Sequence, residues 1–518
     1  MADDGAENGA CPAELTGQMQ LKKIIEEVAA LKIEGTLDRD ISGIAYDSRR
    51  VTPGMIFVAM RGQNVDGHDF IPDAIERGAA AIVSERNGFV SPKATRIRVA
   101  DSRLALAQIS AAFYGHPARR LKMLGITGTN GKTTISFMLK AILNACGISS
   151  GLIGTIRYEI GARIIPAHRT TPEALEIHQM LAQMVNAGAQ ACVMEVSSHS
   201  LDLQRVAGIE YAVAIFTNLT QDHLDWHGNM ENYYAAKEKL FRSPGGGRGQ
   251  AAIINIDDAY GRRLHQSSNL EVKLTYGLSE VAQLRAERIE LGQYGCRFNV
   301  EGGGRSFAVR LPLVGRHNIY NALAAIGAGL ALKLDVARIQ SALETMQPVP
   351  GRLESIECGQ PFGVYIDYAH SPDALLNVLR TVRELTRGRV LLTFGCGGSR
   401  DKGKRPKMGA VAAKHADVTI ITTDNPRKEK PSEIAAQIEQ GYREARGEGC
   451  AVELDRRRAI EEILRQARPG DSVIIAGKGH ETYQEFEDTV VPFDDGVHAR
   501  EALAVMGFCK AQERRSAG

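Results

Sequence analysis

The feature that most constrains this chain is an order of segments that repeats along it. From about Leu121 onward, a short apolar run rich in Val and Ile is followed by a turn with Gly or Asp and then by helical periodicity. This order is typical of βα units. The first series of runs is LKMLGIT, ACVMEV, YAVAIF and AAIIN. Because ligands bind beyond the carboxyl ends of parallel strands, we expect the polar residues after these runs to line one site.

A second series of apolar runs follows the helical segment HNIYNALAAIGAGLAL and the segment QPVPGRLES, which we interpret as a linker over 347–355. Its runs are FGVYID, RVLLTF, DVTIIT and SVIIAG. Before both series, MIFVAM predicts a strand and IPDAIERGA a helix. The sequence therefore predicts an α/β fold of three domains: a small α/β domain over 1–119, a central P-loop type of parallel-sheet domain over 120–350, and a Rossmann-like α/β domain over 351–518.

Charge and cysteine content exclude several functional classes. Among 518 residues, 63 Lys and Arg nearly balance 61 Asp and Glu, so no strong field favours nucleic acid or an anionic membrane. The eight cysteines are scattered without a C-x-x-C pair, which indicates neither a zinc site nor a disulfide framework. The start MADDGAENGACPAEL is unlike a secretory signal, and the chain contains no apolar run of about 18 residues. We expect a cytoplasmic protein without membrane insertion.

A glycine-rich loop between a predicted strand and a predicted helix is the strongest chemical signal. Glycines let backbone N–H groups surround phosphates, a lysine reaches the terminal phosphate oxygens, and a threonine hydroxyl can ligate Mg²⁺. The generic pattern would require glycine at Ile126, whereas glycines stand at 125, 128 and 131. The alternative is a glycine-rich turn with a chance Gly-Lys-Thr. The predicted ATP-binding residues are Gly128, Thr129, Asn130, Gly131, Lys132, Thr133 and Thr134.

Five segments together resemble the Mur ligase family, and the resemblance covers almost the whole chain. They are GTNGKTT, MEVSSHSLDLQRV, TNLTQDHLDWHGNMENYYAAKEKLF, GRHNIYNALAA and DYAHSPDAL. The resemblance implies a cytoplasmic, monomeric enzyme with domains for a UDP-sugar substrate, for ATP and for an incoming amino acid. ATP would convert a carboxylate to an acyl phosphate, and an amine would displace the phosphate. The implied reaction adds meso-diaminopimelate to the D-glutamate of UDP-N-acetylmuramoyl-L-alanyl-D-glutamate in peptidoglycan synthesis, with ATP and Mg²⁺ as cofactors.

Four residues are candidates for the catalytic centre. Lys132 belongs to the phosphate loop, Glu195 ends an apolar run, and His223 lies in the polar segment after the next run. A carboxylate and an imidazole directed at the loop can hold a second Mg²⁺ beside Thr133, although imidazole is unusual for this ion and the family pattern carries the assignment. Taken alone, Lys237 on a helix would be a solvated surface charge. The resemblance implies that it is carbamylated and supplies a metal-binding oxygen.

The resemblance also implies two sets of ligand contacts. For ATP it adds three residues, whose alternatives are a cap, a turn or a surface charge: Asn321, Arg352 and Asp367. For the UDP-muramoyl dipeptide, it implies contacts from the first two predicted domains besides Lys237: Ser48, Gln63, Asn64, Val65, Thr170, Thr171, Ser197 and Arg205. Arg205 is the best physical candidate, since a guanidinium suits carboxylates and phosphates. Ser48 and the two threonines are otherwise ordinary turn residues.

The segment Asp424-Asn425-Pro426-Arg427 follows the run DVTIIT and resembles the family signature for meso-diaminopimelate. An Asx-Pro turn is the plain alternative. Diaminopimelate is lysine with a second carboxylate, so we expect Arg427 to pair with that group and to be left buried and unpaired by lysine. Discrimination of roughly 10⁴-fold would follow. The complete predicted pocket is Arg400, Asp424, Asn425, Pro426, Arg427, Gly477 and Glu481, the last as an acceptor for an ammonium group.

Several rival functions share parts of this pattern. A P-loop kinase or regulatory NTPase would need no amine acceptor, and its third domain would bind a partner. A dinucleotide-dependent oxidoreductase is suggested by GCGGSRDKG after a run, but that segment lacks the full G-x-G-x-x-G. Within the ligase class, the lysine-adding enzyme of the same step and the folylpolyglutamate synthetases remain alternatives.

Overall fold

The computed structural model describes residues 18–62, 65–87, 92–242, 250–268, 270–446 and 449–508. Backbone contacts divide them into two compact units. Unit one runs to residue 136 and resumes over 147–274, and unit two comprises 137–146 and the chain from 275 onward. No helix in the described part of the chain combines the length and the apolarity that crossing a membrane requires.

The first part of unit one contains a five-stranded sheet, a separate two-stranded sheet and flanking helices. Its strands are β1 Met19–Gln20, β2 Ala30–Glu34, β3 Asp40–Ile41, β4 Gly43–Ala45, β5 Met55–Val58, β6 Ala81–Ser84 and β7 Thr95–Val99. Its helices are α1 Leu21–Ile25, α2 Ile71–Glu76 and α3 Ser102–Phe113. The sheet order is β2-β7-β6-β5-β4, with β4 to β7 parallel and β2 antiparallel, while β1 pairs with β3. Strands β4, β5 and β6 are almost entirely buried, as is typical of parallel strands, whereas the antiparallel edge strand β2 is largely exposed.

The next elements contain the phosphate loop. The strands are β8 Lys122–Thr127, β9 Ser150–Ile153, β10 Arg157–Ile160, β11 Arg163–Pro166, β12 Ala191–Glu195, β13 Val213–Phe216 and β14 Ala251–Asn255. The helices are α4 Lys132–Ala145, α5 Ala174–Asn186, α6 Ser198–Asp202, α7 Leu224–His227, α8 Met230–Glu238 and α9 Ala259–Ser267. The order is β11-β10-β9-β12-β8-β13-β14. Strands β9, β12, β8, β13 and β14 are parallel, so the residues after β8, β12 and β13 meet at one edge.

Unit two begins with a largely antiparallel region. Its elements are β15 Val272–Gly277, β16 Leu284–Gly292, β17 Gly295–Gly302, β18 Arg305–Leu311, α10 Arg316–Ala331 and α11 Val336–Glu344. Strand β15 pairs in parallel with β16, and β16, β17 and β18 form an antiparallel meander.

The rest of unit two is a six-stranded sheet covered by helices. Its strands are β19 Glu354–Ser355, β20 Gly363–Asp367, β21 Val390–Phe394, β22 Val418–Ile421, β23 Cys450–Val452 and β24 Ser472–Ala476, and a hairpin follows, β25 Tyr483–Phe486 with β26 Thr489–Pro492. Its helices are α12 Pro372–Leu385, α13 Lys404–His415, α14 Pro431–Arg446, α15 Arg456–Arg465 and α16 Asp495–Val505. The order is β19-β20-β24-β21-β22-β23, all parallel except β19.

The predicted α/β class is confirmed, and every predicted apolar run contains a strand. Three details differ. The sheet around the phosphate loop is mixed, because β10 and β11 are antiparallel. The end of the predicted linker, Glu354–Ser355, is strand β19, which pairs with β20. Cys358 is disulfide-bonded, although the cysteine pattern indicated no disulfide framework. The three domain boundaries stay a prediction.

Candidate active site

The phosphate loop spans residues 128–131 between β8 and α4, as predicted. Gly128 has φ 142°, and a Cβ there would lie 1.8 Å from Thr217 Oγ1, so only glycine fits. The segment after β13 fixes the loop. Asn218 accepts the Thr129 N–H on its backbone oxygen at 2.8 Å and the Asn130 N–H on its side chain at 3.0 Å. The predicted strand, loop and helix are thus present in the required order.

Glu195 is buried at the end of β12, directly beside the loop. Its Oε2 accepts the Thr133 hydroxyl at 2.9 Å and the Thr155 hydroxyl at 2.8 Å. Its Oε1 accepts the Thr155 N–H at 3.0 Å. A Cβ at position 154 would lie 2.5 Å from this carboxylate, so Gly154 leaves it room. The structure therefore brings Glu195 and Thr133 together, as expected.

Lys237 lies on α8 and is 1 % exposed. Its ammonium donates to the carbonyl oxygen of Gly128 at 2.9 Å and lies 4.6 Å from the ring centroid of Tyr233. Burial, and to a lesser degree the charge of Lys132, lower the pKa of Lys237 well below its usual range. The plain interpretation of this lysine as a surface charge is wrong.

His223 lies in the segment between β13 and α7 with φ 52°. Its ring meets the ring of His199 edge-on, with centroids 4.8 Å apart, and lies 6.1 Å from the ring of Tyr233. Desolvation lowers the pKa of His223 to about 4, which Asp222 opposes at 3.4 Å. The imidazole is therefore neutral at neutral pH, the form in which histidine can ligate a metal.

The oxygen atoms of Glu195 and Thr133 are of the kind that Mg²⁺ prefers. In the described part of the chain, no three His, Cys, Asp or Glu side chains are clustered as a metal site. A carbamate on Lys237 would add an oxygen anion beside the loop, whereas the unmodified ammonium repels a cation. Thr133 and Glu195, 2.9 Å apart, therefore offer oxygen ligands of a kind that suits Mg²⁺.

The predicted dipeptide contacts of unit one form a cluster beside Glu195. The Thr171 hydroxyl donates to the Glu195 backbone oxygen at 2.7 Å, and Thr170 lies 3.1 Å from the Thr155 hydroxyl. The Ser197 N–H donates to Thr171 Oγ1 at 3.1 Å. Ser197 also caps α6 by accepting the Ser200 N–H.

Arg205 joins the same cluster through its guanidinium. It donates to the Thr171 backbone oxygen at 3.1 Å and pairs with Glu173 at 2.7 Å. Glu173 also pairs with Arg169 at 2.9 Å. Glu173 was not predicted from the sequence, although it directly follows Thr170-Thr171-Pro172.

The predicted uridine-diphosphate contacts are only partly described. Ser48 is buried at the start of a short 3₁₀ helix, and its hydroxyl bonds to Asp73 of α2. That contact suits the plain interpretation as a structural turn residue. Val65 is exposed. Gln63 and Asn64 lie outside the described residues.

The three further nucleotide candidates lie in unit two. Asn321 is buried on α10, and its amide donates to Asn318 Oδ1 at 2.9 Å. Asp367 ends β20 and accepts the Leu353 N–H at 2.8 Å. Burial raises the pKa of Asp367 to about 6, and the nearby charge of Arg352 opposes the rise. The guanidinium of Arg352 lies 5.4 Å from the ring centroid of Tyr368.

The predicted amino-acid pocket assembles beyond the carboxyl ends of β22 and β24. Asn425 donates to Glu481 Oε2 at 2.8 Å. Gly477 has φ 113°, and a Cβ there would lie 3.3 Å from Asp424 Oδ2. The backbone of Pro426 packs against Gly398, where a Cβ would lie 1.8 Å from the Pro426 oxygen. Arg400 is exposed on the same loop as Gly398.

Arg427 departs from expectation. Its side chain is 19 % exposed, and its Nε lies 2.7 Å from Glu485 Oε2. Its Nη1 donates to the Gly398 oxygen at 3.0 Å. The expectation that lysine would leave Arg427 buried and unpaired is therefore wrong, because Glu485 already pairs with it.

Comparison with known proteins identifies the family. Three family models match: the Mur ligase family catalytic domain over 40–114, the Mur ligase middle domain over 126–329, and the Mur ligase glutamate ligase domain over 351–479. A UDP-N-acetylmuramoyl-L-alanyl-D-glutamate–2,6-diaminopimelate ligase of Syntrophomonas wolfei is 46 % identical over 484 residues, which cover 93 % of this chain and 99 % of the relative. This chain belongs to the Mur ligase family.

Two further similarities extend over the same length. A ligase of the same name from Solibacter usitatus is 44 % identical over 91 % of this chain and 95 % of its own. A solved structure under that name is 31 % identical with a TM-score of 0.69, and the match covers 95 % of this chain and all of the other. The Solibacter relative and the solved structure thus each match more than nine-tenths of this Mur ligase.

Several residues of this Mur ligase site were not identified from the sequence. Arg456 is fully buried, pairs with Asp495 at 2.7 Å and donates to the backbone oxygens of Thr423 and Ala476, which fixes the ends of two strands. Lys478 is fully buried beside Asn425 and Glu481. The sequence contained a hint of this role, since Lys478 stands between the predicted pocket residues Gly477 and Glu481.

Proposed function

We propose that this Mur ligase joins meso-diaminopimelate to the D-glutamate carboxyl of UDP-N-acetylmuramoyl-L-alanyl-D-glutamate, with conversion of ATP to ADP and phosphate. The observation that carries the proposal is the phosphate loop with Lys132, Thr133, Glu195 and the buried Lys237 gathered around it. An NTPase needs a phosphate loop, but a second lysine, buried beside that loop, suits a site that also activates a carboxylate. The relatives' names supply the substrates.

The chemistry needs two steps. A carboxylate oxygen attacks the γ-phosphorus, the bond to the bridging oxygen breaks, and ADP leaves. The amine nitrogen then attacks the acyl carbon, the carbon–oxygen bond to phosphate breaks, and the nitrogen loses a proton. Both steps move negative charge on oxygen, so fixed cations and N–H donors lower the barrier.

The chain's own residues have distinct parts in these steps. Lys132 and the N-terminus of α4 stabilise charge on the transferring phosphoryl group. Thr133 and Glu195 would hold Mg²⁺, which neutralises phosphate charge when bound. Burial lowers the pKa of Lys237, and its neutral amine can react with CO₂, forming an N–C bond and releasing a proton. The resulting carbamate would be a further oxygen ligand.

The pocket around Asn425 is the proposed amino-acid site. Glu481 would accept an ammonium group, and Arg427 and Arg400 would pair with carboxylates. Because Glu485 competes for Arg427, the preference over L-lysine should be smaller than roughly 10⁴-fold. We further propose a monomer in the cytoplasm.

The test uses ATP, Mg²⁺, the UDP-muramoyl dipeptide and one amino acid at a time. Product mass identifies the amino acid added. Exclusive use of L-lysine would assign the lysine-adding reaction instead, and ATP hydrolysis that needs no amine would favour an NTPase.

A further inference from the structure

Lys478 lies two residues beyond the end of β24 and is 0 % exposed. Its Nζ lies 3.0 Å from Asn425 Oδ1, 3.3 Å from Glu481 Oε2 and 3.8 Å from Asp424 Oδ1. The ring of Tyr483 lies over it at 5.5 Å. A lysine that is fully buried is rare unless it is paired, and the partners of this one are predicted pocket residues.

Lys478 fixes which way the Asn425 amide faces. An ammonium can only donate, so it must meet the amide oxygen and not the amide nitrogen. The Glu485 N–H donates to the same oxygen at 3.1 Å. The Asn425 NH₂ group is therefore turned toward Glu481 Oε2. Without Lys478, one of the two donors that set this orientation is lost.

Lys478 also sets the charge of the pocket. Asp424 and Glu481 are two carboxylates within about 4 Å of one ammonium, so the three groups together carry one negative charge. An arriving substrate ammonium would neutralise it. Two partly buried carboxylates without Lys478 would repel each other, which favours rotation of Glu481 away from Asn425.

We propose that Lys478 is a positioning residue for amino-acid recognition, which holds Asn425 and Glu481 in the geometry that receives the substrate ammonium. This role rests on the proposed function of the pocket. Lys478 does not touch the substrate itself, because its side chain is completely covered. Its effect should therefore reach the amino acid only through Asn425 and Glu481.

The test compares steady-state kinetics of Lys478→Met with the unmodified enzyme and with Lys430→Met, a control whose side chain is 80 % exposed on the neighbouring segment. If Glu481 and Asn425 shift without Lys478, the substrate ammonium loses a charge-assisted hydrogen bond. KM for meso-diaminopimelate should then rise roughly 10-fold to 100-fold. KM for ATP should change less than about threefold, which is well below the change that the loss of one charge-assisted hydrogen bond would cause. In a background that lacks both partners, Asn425→Ala with Glu481→Gln, Lys478→Met should have little further effect.

Three outcomes would decide against this role. An unchanged KM for the amino acid with a lowered melting temperature would show that Lys478 only supports the fold. Additive effects in the background that lacks both Asn425 and Glu481 would also overturn it. If Lys478→Met does not fold, Lys478→Met with Glu481→Gln removes the charge imbalance, and a KM equal to that of Glu481→Gln alone would overturn the proposal. An unmodified enzyme that forms no amide would instead contradict the proposed function.

Discussion

The side chains of Lys132 and Lys237 donate to the same acceptor, the carbonyl oxygen of Gly128, each at 2.9 Å. Two ammonium groups on one oxygen repel each other, and the more buried one loses its proton more easily. The pKa of Lys237 is accordingly lowered well below its usual range, chiefly by burial. A neutral amine at the phosphate loop is the form that reacts with CO₂.

Lys237→Ala should therefore be nearly inactive, and a small carboxylate such as formate should restore part of the activity by replacing the carbamate oxygens. The measurement is ligation rate against formate concentration. Lys239→Ala is a suitable control, because Lys239 lies two residues further along the chain but is partly exposed and paired with Asp202. A variant as active as the control would remove Lys237 from the catalytic centre.

Lys132→Ala should lower kcat by about 10³-fold or more, since it removes a fixed charge at the transferring phosphoryl group. Nucleotide affinity should fall as well. The comparison is Lys122→Ala, an exposed residue at the opposite end of β8. Near-normal turnover in Lys132→Ala would contradict the assignment of the phosphate loop.

Asp367 predicts a pH dependence of stability. Its folded pKa of about 6 is above the usual 3.8, so its contribution is complete below about pH 4 and is lost as the pH rises through 6. Asp367→Asn has no ionisable group at this position, so it does not lose this stability as the pH rises. Relative to the unmodified protein, the variant should gain roughly 3 kcal/mol of unfolding free energy between pH 4 and pH 7, since each tenfold change in proton affinity is worth about 1.4 kcal/mol. Denaturant unfolding at several pH values measures this gain, and a difference that stays constant with pH would show that folding leaves the pKa of Asp367 unshifted.

Arg427→Ala should reduce the preference for meso-diaminopimelate over L-lysine. Arg427 is shared with Glu485, so the expected change in the ratio of kcat/KM values is about 10-fold to 100-fold, the worth of one or two charge-assisted bonds. Glu485→Gln is the informative partner variant, because it frees Arg427 and should raise the preference. Equal ratios in all three proteins would exclude Arg427 as the specificity residue.

The strands and the phosphate loop were predictable because their signals are local. Buried parallel strands are continuous apolar runs, and Gly128 to Lys132 follow one of them directly. The meander of β16, β17 and β18 was missed because its half-exposed strands mix polar and apolar residues and form no long apolar run like those used to predict the other strands. Resemblance identified Lys237 and Arg427, but their surroundings were not predictable. The burial of one and the pairing of the other with Glu485 depend on contacts between residues distant in the sequence.

In this Mur ligase, phosphate-loop chemistry should be coupled to amide formation. The most direct measurement is ADP release with ATP, Mg²⁺ and the UDP-muramoyl dipeptide, with and without meso-diaminopimelate, combined with the mass of the product. We expect sustained ADP release to require both the dipeptide and meso-diaminopimelate, and the product mass to equal the sum of their masses less one water. Sustained ADP release at the same rate without the amino acid, or without any joined product, would contradict it.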